Sequence, residues 1–307
     1  MLGRMLSQRA AEGIEDLATA ARLMSAAWLA EAPRVAATPA AIEWWYALTH
    51  PEPLGHHLRL WSEDDRPVAW TWHEPPEMEW HVWTGAEGRD REVFASIVDA
   101  ALAEVRDREL GIFARDDDVV AIGVLGERGF EPAGRQLTQW HHRAGDALAP
   151  AALSPGYRIR GLRGPEEFEA RVAVHRSAFP TSRLTTAKYE RLLTVPHYRL
   201  EDDLVVEAPD RSLAAYALAW WDADGLVGEL EPVGTHPDHQ RRGLSRALVA
   251  AAVQRLHGRG ATVVQVYSDV AEAPAEGLYA AVGFERRATH RRYAVRSAPA
   301  SGATIGA

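Results

Sequence analysis

One stretch of the sequence, Gly228 to Arg246, joins a strand pattern directly to a helix pattern. It reads G-E-L-E-P-V-G-T-H-P-D-H-Q-R-R-G-L-S-R. Alternating and β-branched residues predict a strand over Leu226–Thr235, and after a short turn the spaced apolar residues predict a helix over Gly243–Leu256. Pro232 removes a backbone donor from the strand, which predicts a bulge and a strand that diverges from its neighbour. We therefore expect a slot that ends at a helix N-terminus.

The start of this helix has the composition of an anion site. Free N–H groups at a helix N-terminus attract phosphates, and a glycine there lets the backbone approach a ligand closely. Two arginines precede the glycine, and their alternative role is that of a solvated basic helix start, which the helix dipole disfavours unless an anion is bound. The residues expected to bind a pyrophosphate are Gln240, Arg241, Arg242, Gly243, Leu244, Ser245 and Arg246.

These residues resemble the Q/R-x-x-G-x-G/A signature of the GNAT (GCN5-related N-acetyltransferase) superfamily, with Ser245 where glycine or alanine is usual. Downstream, Leu278–Phe284 reads L-Y-A-A-V-G-F and is similar to the L-Y-x-x-x-G-F element that closes the acetyl-CoA site in that family. Glu272 departs from the asparagine that is frequent at its position. The resemblance implies an acetyl-CoA-dependent N-acetyltransferase in which strand residues offer backbone groups to the pantetheine arm, namely Val233, Gly234 and Thr235.

Acyl transfer from a thioester to an amine needs a deprotonated amine and a stabilised leaving thiolate. By the resemblance, Glu229 occupies the position of a general base, with Glu231 as the second candidate. Tyr279 would donate a proton to the thiolate, since a phenol with a pKa near 10 is protonated at neutral pH. The alternatives are that the glutamates are solvent-facing or substrate-binding strand residues and that the tyrosine only packs.

The element order predicts a tandem repeat. A chain of 307 residues suits two domains, and Leu125–Phe130 resembles Leu278–Phe284 in position within each half. We predict an α/β (α+β) fold of two tandem GNAT-like units, each with a mixed, mostly antiparallel central sheet flanked by helices, organised as in tandem enzymes of the mycothiol synthase type. The expected boundaries are a degenerate domain over 1–145, a linker over 146–155, a catalytic domain over 156–297 and a disordered tail over 298–307.

The first half lacks the chemistry of the second. Its matching loop, residues 89–94, reads R-D-R-E-V-F, so that Glu92 replaces the glycine and Phe94 replaces the serine. Leu125 stands in place of the tyrosine. A carboxylate repels phosphates, and we predict that this half neither binds acetyl-CoA in the usual way nor catalyses. Most of its tryptophans should be core, the alternative being that one lines an acceptor site; the four in question are Trp70, Trp72, Trp80 and Trp83.

Composition excludes several classes of protein. The chain has no cysteine, which excludes disulfides, a thiolate nucleophile and a Cys-ligated metal. It has no apolar run long enough to span a membrane and no secretory leader pattern, so we expect a cytoplasmic protein. A net charge of -9 argues against nucleic acid as a partner and suits a cationic amine, the alternative being that the charge only keeps the protein soluble. The histidine pairs lack zinc-like spacing, and we expect no metal.

The expected partner is a small-molecule primary amine. The sequence leaves open whether this is an aminoglycoside, a biosynthetic amine, an amino acid or a protein N-terminus, and it leaves the oligomeric state unknown. The alternative function is a non-catalytic acyl-CoA-binding or regulatory protein with the same fold. Ser245 and Glu272, which depart from the family pattern, favour that alternative.

Overall fold

The structure is a computed structural model that describes residues 6–31, 37–74, 79–84, 91–105 and 108–296. The chain forms two compact units, each assembled from separate stretches of sequence. The first unit draws on Met1–Leu23, Leu54–Leu137 and Ala288–Ala307, and the second on Met24–Pro53 and Thr138–Arg287. Both units have helices packed on an open, mostly antiparallel sheet, which confirms the predicted fold class.

The strands and helices follow the expected order along the chain. The strands are β1 (Leu6–Ala10), β2 (Leu58–Glu63), β3 (Arg66–Glu74), β4 (Glu79–Trp83), β5 (Glu109–Arg115), β6 (Glu131–Arg143), β7 (Arg158–Gly161), β8 (Asp203–Glu207), β9 (Leu213–Asp222), β10 (Val227–Thr235), β11 (Val263–Asp269) and β12 (Glu285–Arg296). The helices are α1 (Ile14–Glu31), α2 (Pro39–Leu48), α3 (Arg91–Glu104), α4 (Val119–Glu127), α5 (Phe168–Ala178), α6 (Thr186–Glu190), α7 (Leu244–Gly258) and α8 (Ala273–Val282).

In the first unit the strand order is β1-β2-β3-β4-β5-β12, antiparallel except for the parallel pair of β4 and β5. Helices α3 and α4 cover one face and bury a core that includes Trp61, Trp80 and Phe94. All four tryptophans singled out in the sequence are at most 7% exposed, which confirms that they are core residues. Burial of such large aromatic surfaces is the main stabilising term available to this unit.

In the second unit the strand order is β6-β11-β10-β9-β8-β7, with β10 and β11 parallel. Helix α7 packs on β8, β9 and β10 and buries Leu248, Val253 and Leu256 against alanines of β9. Helix α5 also packs on β9 and β10, and α2 packs on β10 and α6. Strand β10, which carries the two candidate bases, is therefore covered by helices.

Three features of the chain were not expected from the sequence. Strand β1 was missed because L-S-Q-R-A has no apolar alternation and four of its five residues are exposed. Residues 290–296 of β12 pair with residues 109–115 of β5 in the first unit. The second unit includes Met24–Pro53. The linker between the two repeats at 146–155 stays a prediction, and residues 144–157 form neither helix nor strand. The predicted tail over 298–307 lies outside the described residues.

Candidate active site

Strand β10 parts from β11 near its middle. The parallel register runs from Val227 opposite Val263 to Glu229 opposite Gln265 and stops there within the described residues. The register of β10 with β9 shifts between Leu230 and Val233, which confirms the bulge predicted at Pro232. Beyond this bulge, residues 233–235 pair with β9. Their other backbone edge is therefore available to a ligand, as the resemblance implies for the pantetheine arm.

Helix α7 begins at an uncapped N-terminus. Its N-cap is Gly243 in the left-handed region, with φ 73° and no side-chain cap, and the first turn holds no acidic residue. A Cβ at this glycine would have no atom within 4 Å, so the space beside it is open. The first N–H groups of a helix have no acceptor inside the helix. The side chains of Arg241, Arg242 and Arg246 are exposed near these N–H groups. Backbone donors and positive charge therefore occur together at the start of α7.

The serine that departs from the family signature has a structural role. Ser245 Oγ lies 2.6 Å from Thr235 Oγ1, so the first turn of α7 is tied to the end of β10. The hydroxyl of Ser154 donates to the carbonyl oxygen of Arg242 at 2.7 Å. The loop is thus held from both sides. Leu244 is buried in the core, so only its backbone N–H can serve an anion, and Gln240 is exposed at the end of the loop.

Gly234 is required by a tyrosine beneath β10. A Cβ at this position would lie 2.5 Å from the hydroxyl oxygen of Tyr216. Tyr216 is fully buried, and its hydroxyl is 2.9 Å from Nδ1 of His175. Burial lowers the pKa of His175 to about 3, with the charge of Arg171 acting in the same direction. This histidine is therefore neutral at physiological pH, and its hydrogen bond holds the Tyr216 hydroxyl beneath the strand.

Glu229 is buried at the point where the register of β10 with β11 ends. The residue is 3% exposed. Its Oε2 atom accepts two hydrogen bonds, one from Thr38 Oγ1 at 2.5 Å and one from Gln265 Nε2 at 2.6 Å. Burial raises the pKa of Glu229 to about 7, although both hydrogen bonds act in the opposite direction. A carboxyl group that titrates near neutral pH is suited to proton transfer.

Tyr279 is a buried phenol whose ionisation is affected by nearby carboxylates. Tyr279 is 5% exposed and packs against Trp140 and Phe284, with ring centroids 6.4 and 5.7 Å away. Burial raises the pKa of the Tyr279 phenol, and the charges of Glu231 and Glu272 raise it further. The phenol therefore keeps its proton at neutral pH. Glu231 is half-buried, and its carbonyl oxygen accepts a 2.6 Å hydrogen bond from the indole of Trp220.

Sequence reasoning missed the polar residues that surround Glu229. Thr38 precedes α2, and Gln265 lies on β11 directly opposite the glutamate. Gln139 on β6 donates from Nε2 to Oε1 of Gln265 at 3.0 Å. The only signal in the sequence was Gln265 itself, a polar residue in the otherwise apolar strand pattern V-V-Q-V-Y.

In the first unit, the matching loop lies partly outside the described residues, since only its last four residues, from Arg91, are described. Glu92 is exposed in the first turn of α3, while Phe94 is buried in the core and cannot stand in the path of a phosphate. Leu125 is also fully buried. That this unit does not bind acetyl-CoA stays a prediction, and it now rests on Glu92 and on the missing tyrosine.

Two kinds of feature are absent from the described ranges. None of their helices is both long enough and apolar enough to cross a membrane. None of their histidine, aspartate and glutamate side chains form a group of three that could hold a metal ion.

The chain is similar to known acetyltransferases in both sequence and fold. Residues 168–284 match the model of the Acetyltransferase (GNAT) family. The chain is 28% identical over 270 residues to a mycothiol acetyltransferase of Catenulispora acidiphila, covering 81% of each protein. A GCN5-related N-acetyltransferase from Sphaerobacter thermophilus has a TM-score of 0.65 at 16% identity, covering 96% of both chains. A tandem GNAT protein from the clavulanic acid biosynthesis pathway has a TM-score of 0.62 at 14% identity, covering 97% of this chain and 100% of the other. Residues 168–284 therefore match the GNAT acetyltransferase family, and the fold of the chain is similar to that of GNAT and tandem GNAT proteins.

Proposed function

We propose that this chain transfers an acetyl group from acetyl-CoA to a primary amine of a small molecule, and that the reaction takes place in its C-terminal half. One observation carries the proposal. Glu229, a buried carboxyl group whose pKa is about 7, lies on the strand that leads into the uncapped start of α7. A proton acceptor and an anion site thus occur on consecutive elements, as acyl transfer from a CoA thioester to an amine requires.

The residues at the start of α7 fit a pyrophosphate. The N–H groups of Leu244, Ser245 and Arg246 are the first three of the helix, and Arg241 and Arg242 supply exposed positive charge. The open space at Gly243 lets the backbone approach the phosphates. The free backbone edge of residues 233–235 lies on the strand before this loop and would hold the pantetheine arm.

Glu229 acts as the general base. Acetyl-CoA supplies an activated acetyl thioester, and the acceptor amine has to lose a proton before it attacks. A carboxyl group with a pKa near 7 is largely ionised just above neutral pH and still basic enough to take that proton. Because Glu229 is 3% exposed, the proton passes through one water rather than by direct contact. Glu231 is the second candidate because it is more accessible.

Tyr279 acts as the general acid. Its phenol is protonated at neutral pH because burial and the neighbouring carboxylates raise its pKa. It can therefore give its proton to the departing thiolate. The packing of its ring against Trp140 and Phe284 fixes the position of the hydroxyl, so packing and catalysis are compatible roles for this residue.

Several relatives are named mycothiol acetyltransferase, so the amine that those enzymes acetylate is the first acceptor to test. A panel of amines is incubated with acetyl-CoA, and release of free thiol is followed; the panel adds aminoglycosides, amino acids and peptides with free N-termini. We expect acetylation of at least one small primary amine. Thiol release with peptides alone, or with no amine although acetyl-CoA binds, would contradict the proposal.

A further inference from the structure

The carboxylate of Glu229 on β10 is held by three buried side chains that come from three other elements. Thr38 at the start of α2 and Gln265 on β11 both donate to Oε2 of Glu229, and Gln139 on β6 donates to Gln265. Thr38, Gln139 and Gln265 are 2%, 0% and 0% exposed. We infer that Thr38, Gln139 and Gln265 are positioning residues that lock one oxygen of Glu229 and leave Oε1 to exchange the proton. This inference rests on the proposed role of Glu229 as the base.

The side chain of Thr38, at the N-cap of α2, bonds to Glu229 instead of capping the helix. A threonine at a helix N-cap normally accepts a hydrogen bond from an N–H group of the first turn. The side chain of Thr38 makes no such bond, although its backbone is extended as an N-cap requires. Its hydroxyl donates to Glu229 instead. Since a hydroxyl has one proton, this direction of donation favours the ionised carboxylate over the protonated acid.

The orientation of Gln265 is fixed by its own partner. The Oε1 atom of Gln265 accepts from Nε2 of Gln139, so its amide nitrogen is turned toward Glu229. A flipped amide would place two oxygens, those of Gln265 and Glu229, against each other. Gln139 therefore acts on Glu229 through Gln265, without contacting the carboxylate. Four elements, α2, β6, β10 and β11, therefore contribute to the environment that sets the ionisation of Glu229.

Other charged groups on the neighbouring elements have their own partners. On α5, Arg171 is paired with Asp203 and His175 is bound to Tyr216 and Ser182. Glu43 of α2 is bound to His197, and Asp222 of β9 accepts from the N–H groups of residues 224 and 225. Helix α7 packs over the opposite face, where Leu256 lies next to Gly228. The hydrogen bonds from Thr38 and Gln265 are thus the polar contacts that act on the carboxylate directly.

The test is a direct titration of Glu229 in the full-length protein. Protein labelled with ¹³C at the glutamate carboxyl carbons is titrated by NMR, and the Glu229 signal is assigned by its loss in Glu229→Gln. We expect Thr38→Val, which keeps the shape of the side chain but removes the donor, to raise the titration midpoint by about one pH unit. Thr38→Ser restores the donor and should restore the midpoint. The acid limb of kcat/KM should move with the midpoint in each variant.

The second variant is Gln139→Leu, which leaves both direct donors in place. A smaller upward shift is expected, because Gln265 is then free to turn. Unchanged titration midpoints in folded Thr38→Val and Gln139→Leu would overturn the inference and would show that these side chains have only a structural role. The titration needs no acceptor amine, so it gives its result even if the proposed reaction fails. Conversely, full activity of Glu229→Gln would show that Glu229 is not the general base, and the titration would still test the hydrogen bonds to its carboxylate.

Discussion

Thr38 Oγ1 donates a 2.5 Å hydrogen bond to Glu229 Oε2, although 191 residues separate the two in sequence. The contact brings the start of α2 to the candidate base on β10. Gln139, which also lies outside the predicted catalytic domain of residues 156–297, reaches the same carboxylate through Gln265. The C-terminal half holds the motifs that resemble those of an acetyltransferase, but the surroundings of its candidate base come partly from the first 143 residues.

Replacing Gly243 with glutamate should weaken acetyl-CoA binding by at least about tenfold, because a carboxylate would lie where the N–H groups of α7 meet the phosphates. Part of the loss will come from backbone strain, since Gly243 has φ 73°. Gly243→Lys is the matched control, with the same strain and the opposite charge. Calorimetry should rank the affinities as wild type, then lysine, then glutamate. Equal affinity of the glutamate variant and wild type would remove the loop from the site.

Tyr279→Phe should lower kcat by about 10² to 10⁴-fold with little change in the KM for acetyl-CoA, since a proton donor acts mainly in the transition state. The ring packing against Trp140 and Phe284 is kept in this variant. Tyr293→Phe, which changes a buried tyrosine in the core of the first unit, serves as the control. Unchanged turnover of Tyr279→Phe, with the chemical step shown to limit the rate, would leave this tyrosine a packing residue.

The raised pKa of Glu229 makes stability depend on pH. Its pKa is raised from 4.5 to about 7, so between these values the folded state holds a proton that the unfolded state has released. Stability from this group is therefore full below about pH 4.5 and falls as the pH rises through 7. Glu229→Gln should be more stable than wild type at pH 8, by up to about 3 kcal/mol, and the difference should shrink at pH 5. Urea unfolding at both pH values measures it; a difference independent of pH would contradict the assignment.

Gly234→Ala should destabilise the protein by about 1 to 3 kcal/mol, because the added Cβ has to displace a buried, hydrogen-bonded tyrosine. The Cβ would lie 2.5 Å from the Tyr216 hydroxyl oxygen. Gly258→Ala, at the end of α7, meets no atom within 4 Å and should be neutral or slightly stabilising. Thermal unfolding of the two variants compares them, and equal stability would show that β10 shifts freely over the tyrosine.

Contiguous parts of the site were predictable, and distant parts were not. The strand, bulge and helix around Pro232 and Gly243 follow from local rules on proline, glycine and apolar spacing, and the structure places them within two residues of the prediction. Thr38 and Gln139 are single polar residues 191 and 126 positions from their partners, and no local pattern links such pairs. The pairing of β12 with β5 was missed for the same reason, because strand partners are chosen by tertiary packing.

The decisive measurement for Glu229 as the general base is the pH dependence of kcat/KM for wild type, Glu229→Gln and Glu231→Gln. We expect an acid limb near pH 7 in wild type, since a general base works only when deprotonated. Glu229→Gln should lose this limb together with about 10² to 10⁴-fold of activity, while Glu231→Gln should keep it. Loss of the limb in Glu231→Gln, with full activity of Glu229→Gln, would contradict the assignment of Glu229 as the base.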